Sequence, residues 1–298
     1  MDLKPELQSI LLGKTKKFDA PKSFPPFLKL IQSIVATTFS EADPRYLVSQ
    51  LSQKEFLSRM IHLRSQVKDN IVVPTAFFPV WQELGLNPQE IYLDAIRIRC
   101  VPDRFQEIEE AGPVAFIHRD PWYANPQCQF NLWIPVYSVP KEAGFRIYPS
   151  YFDKPILNNS NRFDYKEWLD AGGFQSTSKN SVVPQTFPSP QTNPIEPSPL
   201  DVFADEGEMF LFSSHHLHGT SPNTSGLARF SLEIRFVLES HLVDGLGPPK
   251  IDNQSKGSTL LHMCRLTDSK PVSDQLIKHY EGKFVSDRSK SDSSAPSG

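Results

Sequence analysis

The apolar period of this chain changes near residue 91, and that change limits what its two parts can become. Before it the pattern is helical. Asp43-Pro44 suits an N-cap followed by proline at the first helical position, and Ser52-Gln-Lys-Glu55 is a capping box. Beyond the box, Phe56, Leu57, Met60, Ile61 and Leu63 recur at helical spacing and predict one apolar packing face. After residue 91 the pattern alternates. Ile91 to Val101 is rich in β-branched residues, and Gln129 to Tyr137 puts Gln129, Asn131 and Trp133 on one face with Phe130, Leu132 and Ile134 on the other. Phe145 to Tyr148, Glu208 to Phe212 and Arg229 to Leu238 add further short strands. Short strands with long connections predict a mainly β sandwich or barrel carrying an α-helical N-terminal extension.

With 298 residues the chain can bury a large core, and one domain over residues 1–283 suits it: a helical part to 90, a β core over 91–240 and an extension over 241–283. The core is interrupted by an excursion at 153–206, whose stretch from Pro184 to Pro199 holds six prolines and predicts neither helix nor central strand. Trp168, Phe174 and Phe187 give that excursion apolar groups with which to dock as a lid. The tail over 284–298 has little to bury and is expected to be disordered.

A net charge of −3 leaves no basic surplus for a phosphate backbone, which argues against a nucleic-acid partner. The start Met-Asp-Leu-Lys-Pro lacks the features of a signal peptide, and no apolar run is long enough to span a bilayer, so a soluble cytoplasmic protein is expected. No obligate protein partner is evident. Cys100, Cys128 and Cys264 lie far apart, without zinc-site spacing, and are expected to be reduced thiols. The sequons at Asn158, Asn223 and Asn253 read as chance matches without an export signal.

The residues that point to chemistry are His118-Arg-Asp120 and, about a hundred positions later, His218. His118 and Asp120 share one side of an extended segment. Two imidazoles and a carboxylate are a ligand set that holds ferrous iron on one face and leaves the opposite positions open. Eleven residues beyond His218 stands Arg229, followed on the same strand face by Ser231, a donor set suited to a carboxylate. His216 shares the strand parity of His218 and His215 does not, so His216 stays open as a third ligand.

In His118-Arg-Asp120-Pro-Trp-Tyr, Gln129-x-Asn131-x-Trp133-x-Pro135, His218-Gly-Thr and Arg229-x-Ser231, the chain resembles the iron(II)/2-oxoglutarate-dependent dioxygenases, in their phytanoyl-CoA dioxygenase-like branch. The resemblance covers residues 91–240, about half of the chain. It implies a double-stranded β-helix, or jelly roll, of cupin-like form. It also implies Fe(II), 2-oxoglutarate and O2 as cofactor and co-substrates, with His118, Asp120 and His218 on the metal and Arg229 with Ser231 on the distal carboxylate of 2-oxoglutarate. Gly219-Thr220 and the interval to Arg229 match the family better from His218 than from His216. Related halogenases lack the carboxylate that Asp120 supplies, which disfavours halogenation.

Gln129 and Asn131 either bind the 2-oxoglutarate C1 carboxylate or substrate, or satisfy buried backbone groups. Trp122, Tyr123 and Trp133 are candidate pocket-lining residues. Arg97, Arg99, Arg119, Arg146 and Arg235 are candidate substrate ligands, because an inward arginine must meet an anion or return to solvent. The substrate is accordingly expected to be a small, carboxylate-bearing amino-acid derivative or natural product. Hydroxylation is the expected outcome. Oxidative cyclisation or desaturation of the kainoid-synthase kind is the alternative, and a non-oxidative cupin-type metal-binding protein is the rival of another class.

Overall fold

The computed structural model describes residues 2–39, 43–107, 117–172 and 187–285. Two antiparallel sheets face each other. The strands are β1 (Lys16–Asp19), β2 (Ile91–Leu93), β3 (Arg97–Val101), β4 (Phe130–Pro135), β5 (Phe145–Ile147), β6 (Leu200–Val202), β7 (Glu208–Ser213), β8 (His218–Thr220), β9 (Arg229–Leu238) and β10 (Cys264–Arg265). The larger sheet runs β1-β7-β4-β9-β2-β10, with β3 also on β9. The smaller runs β6-β5-β8, and a bridge between His118 and His218 extends it. Along the chain the path passes from β3 to the His118 segment, to β4, to β5 and β6, to β7, to β8 and to β9. Successive limbs thus cross between the sheets, which is the connectivity of a double-stranded β-helix.

The helices are α1 (Lys4–Leu11), α2 (Phe24–Phe39), α3 (Pro44–Leu47), α4 (Gln53–Lys68), α5 (Val72–Ala76), α6 (Phe78–Glu83), α7 (Tyr165–Asp170), α8 (Glu239–Asp244) and α9 (Asp274–Val285). Asp43 caps α3 ahead of Pro44, and the Ser52–Glu55 capping box opens α4. Alternation then decides what the N-terminal helices cover. Phe130, Leu132 and Ile134 of β4, Met209 and Leu211 of β7, and Phe230, Leu232, Ile234 and Phe236 of β9 share one apolar cluster with α1, α2 and α4 to α6. Aromatic edges lock this face, with Phe39 5.4 Å from Phe230 and Trp81 4.9 Å from Phe236 between ring centres. Each large side chain buried there contributes roughly 1.5–3 kcal/mol.

The inner face is divided. Trp133, Phe145, Ile147, Val202, Phe210 and Phe212 fill one end. The other holds Asn131, Arg99, Arg229, Glu233 and Arg235 from β4, β3 and β9, opposite the two histidines.

Several expected boundaries move. Only Met60, Leu63 and Val67 of α4 are fully buried, while Leu57 and Ile61 are exposed, so the packing stripe is narrower than the spacing suggested. Ile91 to Val101 is two strands, β2 and β3, interrupted around Asp94, whose N–H still donates to Arg235 O at 3.1 Å. The excursion is not loop throughout: α7 lies inside it, and β6 at its end pairs with β5. Phe174 lies outside the described residues. The chain end is ordered further than expected, since α9 runs to Val285 with Phe284 buried; residues 286–298 lie outside the described set. Cys100 and Cys128 are buried free thiols and Cys264 is a partly exposed one. No helix among the described residues is long and apolar enough to cross a membrane.

Candidate metal centre and carboxylate cradle

His118 and His218 are brought together by backbone pairing: each donates its N–H to the other's carbonyl, at 2.8 and 2.9 Å. Their ring centres lie 4.4 Å apart. Gly219 permits this approach, because a Cβ there would stand 3.0–3.1 Å from Ile117. Asp120 does not continue the extended segment of His118. It opens a single turn of 3-10 helix over Asp120–Tyr123, held by its N–H to Ser214 O at 3.1 Å and by Asn125 Nδ2 to its carbonyl at 2.8 Å. The turn carries its carboxylate to 3.6 Å from His118 Nε2. The ligand atoms of His118, Asp120 and His218 all lie within 4.8 Å of one another, and among the described residues they form the one such cluster of metal-binding side chains.

The protonation states suit a cation. His218 Nδ1 stands 2.9 Å from His216 O, and a carbonyl can only accept, so Nδ1 carries the proton and Nε2 presents its lone pair. Burial lowers the His218 imidazolium to about 3, helped by the neighbouring His118. Burial alone would raise the Asp120 carboxyl, but Arg235, a hydrogen bond from His118 and the charge of His218 hold it far below the usual range. Asp120 is therefore a carboxylate and His218 is neutral at neutral pH. Neither alternative histidine joins them. His215 is turned to Gln127 Oε1 at 3.0 Å, and the ring nitrogens of His216 face the carbonyls of Ser213 and Gly13, both at 3.1 Å, one of which accepts from the neutral ring.

Gln129 and Asn131 form a relay. Gln129 Nε2 donates to Asn131 Oδ1 at 3.0 Å, and Asn131 Nδ2 donates to Asp120 Oδ2. Their placement orients the Asp120 carboxylate. Asn131 also lines an open cavity over the histidines, together with Arg99, Trp133, Phe145, Phe212, Thr220, Arg229, Glu233 and Arg235.

Arg229 is buried at the far side of that cavity. Its Nη1 donates to Ala143 O at 2.9 Å and Gly144 O at 2.6 Å, which fixes the guanidinium, while Nε has no partner among the described residues. Ser231 Oγ, two residues on and on the same strand face, is also buried without one. Burial, then repulsion from Arg99, lowers Arg229 to about 10, which leaves it charged at neutral pH.

The remaining arginines divide by strand face. Arg99 meets Glu233 at 3.0 Å inside the cavity, and Arg235 bridges Glu233 at 3.6 Å and Asp120 at 3.3 Å. Arg97 pairs with Asp94 at 2.5 Å. Arg146 points away from the inner face and pairs with Asp201 at 2.9 Å, partly exposed. Arg119 is fully buried but turned from the cavity, with its donors on backbone carbonyls and on Asp252, so it cannot contact a substrate there. Trp122 likewise donates to Asp252 and packs in a separate cluster with Tyr151, Ile156 and Leu217. Tyr123 stays beside the centre, its ring 5.2 Å from and edge-on to that of His118, and donates to Pro188 O at 3.1 Å, which ties the proline-rich excursion to the metal motif.

Glu233, whose parity lets it pair with Arg235 or Arg229, meets Arg235 and also Arg99, and one further residue, Asp252, lay outside the expected site. Asp252 gave no sequence signal, because it sits in an aperiodic segment after α8.

No protein-family model and no curated protein matches the sequence. Among solved structures, the chain is similar to the apo form of the non-heme monooxygenase ThoJ, at 13% identity over 95% of this chain and 96% of that one, with a TM-score of 0.45. EvdO2 from Micromonospora carbonacea var. aurantiaca, complexed with 2-oxoglutarate, is 12% identical over 78% and 89% of the two chains, with a TM-score of 0.43. The epimerase SnoN, in complex with Fe3+, alpha ketoglutarate and nogalamycin RO, is 11% identical over 91% and 97%, with a TM-score of 0.42.

Proposed function

We propose that this chain is a non-haem iron(II)/2-oxoglutarate-dependent oxygenase acting on a small anionic molecule, with hydroxylation as its outcome. The observation that carries the reading is the unspent donor pair of Arg229 Nε and Ser231 Oγ, buried on the same inner face as a two-histidine, one-carboxylate triad. A buried guanidinium without a carboxylate partner is costly, and an anionic ligand relieves that cost. The donor chemistry fits both groups: His118, Asp120 and His218 would hold the metal, and Arg229 with Ser231 the distal carboxylate of 2-oxoglutarate.

When bound, iron with 2-oxoglutarate and dioxygen supplies an oxidant able to take hydrogen from an unactivated carbon; the protein must place that carbon and keep water out. Trp133, Phe145 and Phe212 form the apolar wall of the cavity. Asn131 and Arg235 hold the Asp120 carboxylate from two sides, so its orientation does not depend on solvent. Tyr123, anchored to Pro188, closes the side next to His118.

Charge bookkeeping supports an anionic substrate. The cavity and triad hold three guanidiniums, Arg99, Arg229 and Arg235, against two carboxylates, Asp120 and Glu233. Ferrous iron and the 2-oxoglutarate dianion cancel, so the loaded site keeps one positive charge for a substrate carboxylate. Arg99, part-exposed at the cavity, is its proposed ligand.

The test is anaerobic addition of iron(II) and 2-oxoglutarate. The wild-type protein should develop a visible charge-transfer band and His118→Ala should not; a wild-type protein without the band would leave the chain a non-oxidative metal-binding barrel. Succinate release across a panel of acidic metabolites then tests the substrate class, with a raised KM for the acidic substrate in Arg99→Met and an unchanged one for 2-oxoglutarate.

A further inference from the structure

A second buried charged cluster lies behind the triad, and none of its members lines the cavity. Its centre is the Asp252 carboxylate, 6% exposed, which accepts from Arg119 Nε at 3.1 Å, Trp122 Nε1 at 2.8 Å and Ile156 N at 3.1 Å. Arg119 is wholly buried and fans outward from this pair. Its Nη1 donates to His215 O at 2.5 Å, and its Nη2 to Tyr151 O and, at 2.9 Å, to Lys154 O. Asp252 also accepts from Asn158 Nδ2 through its own carbonyl at 3.0 Å.

The connectivity of this cluster matches the spacing problem of the triad. Asp120 opens a short turn, and Arg119 just before it and Trp122 two residues after it both end on Asp252. His218 follows the bend at residues 213–217, and Arg119 holds the carbonyl of His215 within that bend. One buried ion pair therefore touches both limbs from which the metal ligands project. Neither limb has regular structure long enough to fix its own course: one is a bridge and a single turn, the other a strand of three residues. A desolvated ion pair is a poor source of stability compared with apolar packing, whereas it is directional and fixes register.

We propose that Asp252 is a positioning residue of the metal centre, acting through Arg119 and Trp122 to set the spacing between the His118–Asp120 limb and the His218 limb. This rests on the triad being a metal site; partners bonded directly to a ligand govern metal affinity by roughly ten- to hundredfold, and Asp252, one step further out, belongs at the lower end of that range.

The test uses the full chain and cobalt(II) alone, read by its visible absorption and by binding titration, beside a melting curve of the metal-free protein. Asp252→Asn keeps one acceptor oxygen, which can serve Trp122 or Ile156 but not both, and leaves Arg119 buried without its counter-charge. The paired replacement Arg119→Met with Asp252→Leu removes both charges at similar volume, so the fold need not bury an unpaired ion. The double variant is expected to fold but to melt lower than the wild type, because His215 O, Tyr151 O, Lys154 O, Trp122 Nε1 and Ile156 N lose their partners, and to bind cobalt(II) roughly tenfold more weakly with shifted bands. Asp201→Asn, which weakens only the partly exposed pairs with Arg146 and Lys141, should change neither reading. A folded double variant with wild-type cobalt affinity and spectrum would overturn the proposal and leave the pair a packing element. If the double variant does not fold, Trp122→Phe, which deletes one donor to Asp252, is read in the same way, and unchanged cobalt binding there also overturns it. A wild-type protein that takes up no cobalt(II) would instead remove the metal reading itself.

Discussion

Three inner histidines within residues 215–218 make the metal-free protein acid-sensitive in a defined window. Burial lowers His215 to about 3, His216 to about 4 and His218 to about 3, whereas each titrates near 6.5 in the unfolded chain. The unfolded state therefore binds more protons than the folded state between pH 6.5 and about 4, and stability falls as pH falls. Going from pH 7 to 5, each histidine costs about 1.4 pK units, or about 2 kcal/mol at 1.36 kcal/mol per unit, and the three together about 6 kcal/mol. That is comparable with the whole stability of an ordinary domain, about 5–15 kcal/mol. The lowered carboxyls contribute little in this window, because a carboxyl with a depressed pKa begins to lose its contribution only near its unfolded value of about 4. The assay is urea unfolding of chelator-treated protein at pH 7, 6 and 5, followed by tryptophan fluorescence. Replacing His216 by Gln, which keeps an amide donor for Gly13 O or Ser213 O and does not titrate, should reduce the pH 7-to-5 loss by about 2 kcal/mol. A wild-type loss below about 1 kcal/mol, or a His216→Gln protein with the same pH dependence, would refute neutral burial of these rings.

Arg229→Met should raise the KM for 2-oxoglutarate by on the order of a hundredfold, about 3 kcal/mol for charge-assisted hydrogen bonds, as read by succinate release. Asp120→Gly should abolish iron-dependent turnover and leave Arg235 without its nearer carboxylate, with iron content after dialysis as the direct measurement. Ser52→Ala removes the side-chain half of the capping box on exposed α4 and should cost about 1 kcal/mol of stability in chemical unfolding, with no change in metal binding.

Strand parity was the part of the site most legible in the sequence. Alternation along Arg229 to Leu238 placed Arg229, Ser231 and Arg235 on one face, and the same rule set Asn131 and Trp133 opposite Phe130 and Leu132. Parity also separated Arg146 from the cavity, but composition concealed it, since an arginine on a short strand looks the same whichever sheet face it takes. Arg119 shows where local pattern stops. Its neighbours are both members of the candidate triad, yet it points the other way, and its partners lie 32, 35, 96 and 133 positions away. Strands such as β1 and β6 escaped notice because each is short and gains its pairing from β7 or β5, not from a period of its own.

The two faces of the larger sheet divide stability from chemistry, and adjacent residues of β9 test that division. Phe230 points into the helix-covered face, fully buried and edge-on to Phe39 at 5.4 Å. Ser231 points inward with a hydroxyl that has no partner among the described residues. Phe230→Ala removes a ring from a close-packed cluster and should cost about 3–5 kcal/mol of unfolding free energy, while the fraction that remains folded keeps its affinity for 2-oxoglutarate. Ser231→Ala relieves an unsatisfied buried hydroxyl, so the metal-free protein should be as stable as the wild type or more stable by up to about 1 kcal/mol. Its 2-oxoglutarate affinity should fall about fivefold, the equivalent of one neutral hydrogen bond of about 1 kcal/mol. Stability curves of the metal-free variants and anaerobic titration with iron(II) present measure the two quantities separately. Loss of stability in Ser231→Ala without loss of affinity would mean that the hydroxyl serves the fold, and that the cradle is Arg229 alone.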